Sequence, residues 1–324
     1  MTTETVSSQG LTPTGSGVLT LPAIIAGAGD DAIRRFLEYF TVSIRNKNTR
    51  MAYARAVGNF FAWCERRGIT DLRRVEPMVI AAYVEQHGGS IQTQKQALSA
   101  INKLFDWLVV GQVVPFNPAA SVRGPRYSLK RGLTPVLDAE QARELLDSIT
   151  TDTIAGLRDR ALIGVMVFSF ARVGAVVGLD GDDYFQNGKR WWFRLHEKGS
   201  KIHEVPAHHK AEEYLDAYLE AANLFGQKKM PLFRTIDSRR RLSENRMQRT
   251  EVLRMVKRRA KAAGLPEATC CHTFRATGIT VYLLNGGTIE KAQQIAGHES
   301  PRTTKLYDRT SDVISLDEVE RIVI

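Results

Sequence analysis

This chain of 324 residues has few cysteines: Cys64, Cys270 and Cys271. An odd count with two neighbours adjacent excludes a disulfide framework and points to the cytosol. Cys270, Cys271 and His272 are not followed by a second ligand pair at zinc spacing, so no metal is expected and the cysteines read as packing residues. No P-loop and no carboxylate cluster is present, which removes the common routes to metal- or nucleotide-driven phosphoryl chemistry. A small apolar run covers Val18 to Gly29, but Thr2, Thr3 and Glu4 give it no basic leader region, and it is too short to span a bilayer. No membrane role is therefore expected. There is no internal repeat. Residues 1–25, rich in Thr, Ser and Gly, read as a flexible tail.

What is abundant is positive charge. The formal net charge is +10, and such an excess favours an anionic partner, nucleic acid before membrane. The length suggests about two domains, and an apolar content of 43% supports a core in each. Residues 26–122 predict a helical bundle. Asp30 and Asp31 are candidate caps of a first helix carrying Ile33, Phe36, Leu37 and Phe40. Asn48 or Thr49 caps a second, with Tyr53, Val57, Phe60, Phe61 and Cys64 on one face and Gly68 as its stop. A third covers about Pro77 to Gln86. The fourth, about Gln92 to Val110, turns Ala97, Ile101, Leu104, Phe105 and Leu108 inward. Arg50, Arg55, Lys95, Gln96 and Lys103 fall on the polar faces. Such faces are commonly only solvated, but in a basic chain they are candidates for DNA groove and phosphate contact.

Residues 123–134 are basic, hold Gly124, Pro125 and Gly132, and lack apolar periodicity, so they read as a linker. Arg123, Arg126, Lys130 and Arg131 are further DNA-binding candidates there. From 135 to 324 the pattern predicts an α+β domain. Helices are expected at about Ala139 to Ser148, capped by Asp138, and at Gly156 to Phe170. A β-hairpin follows, Arg190 to His196 returning as Lys201 to Pro206 about a Lys198-Gly199-Ser200 turn. Further helices are expected at Ala211 to Asn223, Ser243 to Ala263, Thr273 to Leu284 and Ile289 to Ala296. Ser315 to Ile324 forms an amphipathic helix with a Ser315–Glu318 capping box. The expected fold is thus mainly α with a small β-sheet.

Taken singly, the reactive residues are weak signals. Arg172 ends a long apolar run, where an arginine is ordinarily an ion-pair partner. His272 and Arg275 lie three apart at a helix start and point to one side. His298 precedes Tyr307 by nine residues, and such a tyrosine is commonly just buried. Lys198 sits in the hairpin turn, with Lys201 as competitor for its role and as a DNA-binding candidate. Together they make one ordered set: Arg, hairpin Lys, His-x-x-Arg, His, Tyr. On that set the chain resembles the tyrosine recombinases, the phage-integrase and Xer-type site-specific DNA recombinases. The likeness covers about Leu137 to Arg309, and more loosely the N-terminal bundle, which is similar to their SAM-like core-binding domain. One position departs: relatives often carry an acid three residues after the first arginine, and here it is Ala175. Either another group orients Arg172 or the site is weaker.

The resemblance implies double-stranded DNA as substrate, no cofactor, and a tetramer on DNA, built from this chain alone or with a paired recombinase. It makes Arg172 and Arg275 the clamps on the phosphate oxygens, with His298 as third donor. Tyr307 is the nucleophile, His272 the candidate base and Lys198 the candidate acid. The 315–324 helix then either packs on its own domain or docks onto a neighbouring subunit in a closed ring. Two other readings share these residues: a type IB topoisomerase-like relaxing enzyme, and a noncatalytic DNA-binding accessory factor.

Overall fold

The computed structural model describes residues 21–126, 132–197, 201–308 and 319–320. The chain divides into two compact units, Met1–Ser128 and Leu129–Ile324. The division falls inside the stretch expected as a linker, and Gly132 N–H already bonds to Leu306 O at 2.9 Å within the second unit.

The first unit is all helical: α1 (Ala23–Ala26), α2 (Asp30–Glu38), a π-helical turn at Tyr39–Ser43, α3 (Lys47–Glu65), a 3₁₀ turn at Leu72–Arg74, α4 (Pro77–Glu85) and α5 (Ile91–Val110). Its core joins Phe36, Phe40, Val57, Phe60, Phe61, Ile101, Leu104 and Phe105, so the apolar periodicity identified the inward faces. Leu37 is the exception, at 43% exposed. The expected tail is also too long by several residues, because Ile24 and Ile25 are fully buried in this core. The helix starts are set by other residues than expected. Gly29, at φ 96°, precedes α2, and Asp30 and Asp31 lie in the first turn, where carboxylates complement the helix dipole. Asn46 caps α3 by accepting from both Asn48 N–H and Thr49 N–H.

The second unit runs α6 (Ala139–Asp147), α7 (Ile154–Phe168), α8 (Val173–Gly178), a 3₁₀ turn at Gly181–Asp183, β1 (Tyr184–Asn187), β2 (Arg190–Glu197), β3 (Lys201–Pro206), α9 (His209–Ala221), β4 (Arg234–Ile236), β5 (Leu242–Arg246), α10 (Arg249–Ala262), α11 (Cys271–Leu284), α12 (Ile289–Ala296) and α13 (Pro301–Lys305). The first three strands form an antiparallel sheet in chain order, the last two a separate hairpin. Asp138 caps α6 in a complete capping box with Gln141. The helix expected to begin at Ser243 begins at Arg249. Residues 242–246 pair instead with β4, and Arg246 reaches the carbonyls of Val177 and Leu179. The Gln248–Glu251 capping box then starts α10.

Helix α7 is buried along most of its length and centres the core, its Arg158 and Asp159 paired with each other inside it. Helix α11 crosses it closely at Gly278, where an added Cβ would lie 2.2 Å from Val167 O. No side chain fits there, so α11, which carries His272 and Arg275, is held at backbone distance from α7. The cysteines are free; Cys64 and Cys271 are buried, and burial pushes their thiols up, Cys64 to about 12 and Cys271 to about 11. Among the described residues no helix is long and apolar enough to cross a membrane. The 315–324 helix lies outside the described residues except for Val319 and Glu320, both exposed.

Candidate active site

Arg275 anchors the site. Its residue is 1% exposed, and a buried guanidinium needs partners for its N–H groups. One nitrogen donates to Phe170 O and another to Ala296 O, the latter at 2.7 Å. Phe170 supports this with an unusual backbone, φ 54° in a non-glycine residue, which turns the corner between α7 and α8. Burial, together with the neighbouring Arg172, lowers the Arg275 pKa to about 10. The group stays charged at neutral pH.

Tyr307 follows α13 in the same unit and is 7% exposed. Its hydroxyl lies 2.7 Å from His272 Nε2. The phenol ring stacks on His298, with centroids 5.9 Å apart and planes 7° from parallel. Thr280 Oγ1 donates to Tyr307 O at 2.9 Å, fixing the backbone as well. Burial raises the phenol's pKa, while Arg275 and Arg172 pull it down. The two guanidiniums therefore act on the oxygen that would have to become an anion.

Both histidines are held neutral. Burial, then Arg275 and Arg172, lowers His272 below its ordinary range. The same causes bring His298 to about 3. Gly297 ends α12 in the left-handed region at φ 58°, a conformation glycine adopts without strain, and this delivers His298 inward. Thr304 Oγ1 lies 2.8 Å from His298 Nδ1, leaving Nε2 as the nitrogen free for other contact.

Arg172 is the N-terminal flanking residue of α8, and its side chain is 41% exposed. It forms an ion pair with Glu197, whose side chain is only 7% exposed. Glu197 was missed by sequence reasoning. The available signal was an acid at the end of an amphipathic strand in a chain with Ala175 three residues beyond Arg172. Thus Arg172, His272, Arg275, His298 and Tyr307 come together, while Lys198 and its turn lie outside the described residues. Lys201 is paired with Glu299 at 2.5 Å, both side chains well exposed, an arrangement of small energetic weight.

The DNA-contact candidates are less uniform. Arg55, Lys95, Gln96, Lys103, Arg123 and Arg126 are exposed. Lys95, Lys103 and Arg126 line one groove of about 460 Å³ in the first unit. Arg50 differs: its Nε and one terminal nitrogen both donate to Ile44 O, at 3.0 and 2.8 Å. Its guanidinium braces the turn before α3, which commits two of its nitrogens to the fold. Lys130 and Arg131 lie outside the described residues.

With the geometry in view, the family follows. The chain belongs to the phage integrase family: its model matches residues 135–313, and the model of the phage integrase N-terminal SAM-like domain matches residues 33–111. Among curated proteins the chain is 28% identical over 268 residues to the tyrosine recombinase XerC of Thermodesulfovibrio yellowstonii, covering 81% of this chain and 85% of that protein. It is 26% identical over 283 residues to the tyrosine recombinase XerD of Listeria monocytogenes, covering 86% and 93%. The fold is that of the XerH site-specific recombinase in its post-cleavage complex with palindromic difH substrate (TM-score 0.69, 18% identity, 85% of this chain and 90% of that one). It is likewise that of lambda integrase solved as a tetramer on a Holliday junction (TM-score 0.66, 19% identity, 87% and 79%). The resemblance expected from the motif set is borne out, as is a mainly helical fold with small antiparallel sheets.

The neutral histidine pair has a measurable consequence. If His272 takes the Tyr307 proton, it must be unprotonated, and covalent attack falls as pH drops through its lowered pKa. The acid limb of the pH–rate profile is expected below pH 6.5, the unperturbed histidine value. Measuring single-turnover attachment to DNA between pH 5 and pH 8 checks this, and a limb at or above the ordinary histidine value contradicts it.

Proposed function

We propose that this chain is a site-specific DNA recombinase that cuts and rejoins double-stranded DNA through a 3′-phosphotyrosyl intermediate. The observation that carries the reading is the Tyr307 hydroxyl, 2.7 Å from a neutral His272, under the field of Arg172 and Arg275.

The reaction follows from that arrangement. The phosphodiester enters with its nonbridging oxygens toward Arg172 and Arg275, and His298 Nε2 adds a third donor in its N–H tautomer. The charge that grows on those oxygens in the transition state is met by donors already in place. His272 takes the phenol proton as the Tyr307 oxygen bonds to phosphorus. The bond from phosphorus to the 5′ oxygen breaks, and Lys198 supplies that oxygen with a proton. The products are a 3′-phosphotyrosine and a free 5′ hydroxyl. The phosphodiester energy stays in the new ester, so a 5′ hydroxyl from a second duplex reverses the step and joins new partners. Two guanidiniums and a neutral imidazole perform what a metal would otherwise supply, and nothing in the sequence of bond changes consumes ATP. Free, buried thiols fit a reducing cytoplasm as the compartment.

Recombination joins two duplexes and so calls for four active sites. We assign residues 315–324 to the contact between protomers. The second unit presents a cavity of about 820 Å³ lined by Ala142, Leu146, Phe168 and Tyr282, with Arg143 and Lys210 at its edge. The sequence of that segment supplies apolar Leu316, Val319, Ile322 and Val323 and acidic Asp317, Glu318 and Glu320, a composition suited to a largely apolar cavity that also holds Arg143, Asp147 and Lys210. The first unit, with its basic groove, is assigned to the duplex.

Three experiments test these assignments. A cognate site is first selected by this protein from a pool of random duplexes, then rebuilt with a nick that traps the adduct. With EDTA present and ATP absent, wild type is expected to become covalently attached, whereas Tyr307→Phe binds without attachment. An adduct in the Phe variant, or a requirement for added metal or ATP, contradicts the proposal. Lys198→Ala is expected to slow cleavage, with most of the loss recovered when the leaving 5′ oxygen is replaced by sulfur, a better leaving group. No recovery assigns the acid elsewhere. Deleting residues 315–324 is expected to leave DNA binding by single protomers intact and to abolish paired-site complexes on native gels; unchanged assembly and strand exchange rules the contact out.

A further inference from the structure

In β2 the alternation of a half-buried strand turns Phe193 and Leu195 inward, at 0% and 1% exposed. Glu197 continues that series by two residues, so its carboxylate also points in. An ionised carboxylate in such a place is costly unless it meets a cation. The cation is Arg172, which donates to Glu197 Oε2. The other oxygen, Oε1, is enclosed and has no hydrogen-bond partner among the described residues. It leaves room for the grip to widen from one guanidinium nitrogen to two. Glu197 also acts on Arg275, where it offsets part of the repulsion from Arg172. Ala175, one helical turn beyond Arg172, is buried and offers only a methyl group.

The geometry points to Glu197 as the positioning residue of the first arginine, a carboxylate supplied from the end of β2 in place of one from α8. This inference rests on the recombinase reading above. Its consequence is a mechanical link. Glu197 immediately precedes Lys198 in the chain, and Glu197 pairs with Lys201 across the strands. The same strand end therefore sets the arginine that holds the phosphate and leads into the segment bearing the candidate acid. An acid placed on α8 would orient Arg172 independently of β2; an acid on β2 ties Arg172 to the end of that strand.

The test uses the full chain on the selected, nicked duplex, with wild type and Tyr307→Phe in parallel. Glu197→Gln keeps the shape and removes the charge. Its adduct formation is expected to fall by roughly tenfold to a hundredfold, by analogy with the loss of a group that orients a metal-ligating side chain. DNA binding and thermal unfolding stay close to wild type. Glu197→Asp recovers part of the rate. Replacing one nonbridging oxygen of the cleaved phosphate by methyl removes charge that Arg172 would meet, so most of the Gln penalty disappears on that substrate. Adding Ala175→Glu to Glu197→Gln restores activity by moving the carboxylate to α8. A wild-type rate in Glu197→Gln overturns the assignment, and so does an equal loss on the phosphate and methylphosphonate substrates. Absence of adduct from wild type counts instead against the recombinase reading itself.

Discussion

A guanidinium enclosed by protein needs partners for its N–H groups, and both terminal nitrogens of Arg275 find them in backbone carbonyls from two separate corners of the fold. Phe170 O comes from the turn after α7, Ala296 O from the end of α12. These two bonds tie together the segments that carry Arg172 and His298, while Arg275 itself shares α11 with His272. Fixing one buried cation thus fixes the relative places of four groups. The close crossing of α11 over α7 at Gly278 adds a steric stop, so the tie cannot slide.

The protonation states follow from the same burial. Burial first, and then two nearby cations, keep both imidazoles neutral. The cations also draw down the phenol, though burial outweighs them in the protein alone. A phosphate entering between the guanidiniums changes that balance in two ways. It neutralises part of the field acting on the histidines, and it brings the electrophile. The resting site thus holds a protonated phenol beside a neutral imidazole.

The sequence made much of this legible. Helices with clear periodicity, such as α3, α5 and α12, were found at nearly their true bounds, because the apolar stripe that defines them is also what packs. The main hairpin was found because Trp191, Phe193 and Leu195 alternate. Arg172, His272, Arg275, His298 and Tyr307, which the fold brings together, could be singled out because their order survives without knowledge of distance. What escaped depends on contacts remote in sequence. The β4–β5 pair holds Arg234, Leu242 and Arg246, whose helical propensities are ordinary, and only pairing with each other and the reach of Arg246 to Val177 and Leu179 make strands of them. Ile24 and Ile25 lie beside a Gly- and Ser-rich tail, and their burial is decided by the core they meet. Arg50 looked like a free cation because nothing local shows that its fork closes on Ile44 O.

Glu197 belongs to the same class of long-range information, and it explains how the site tolerates Ala175. Two guanidiniums held near one another repel before any DNA arrives, and the more exposed of them, Arg172, would be the one to swing away. A carboxylate at the end of a packed strand is a permanent counter-ion for it. That carboxylate is restrained at Leu195 and Phe193, two and four residues earlier on the same face, so it needs no substrate to be in place. A less restrained acid would spend part of its interaction on being ordered. Moving the charge from the helix to the strand therefore preserves preorganisation while changing what the arginine is tied to: in this chain, the counter-ion of Arg172 sits at the end of β2.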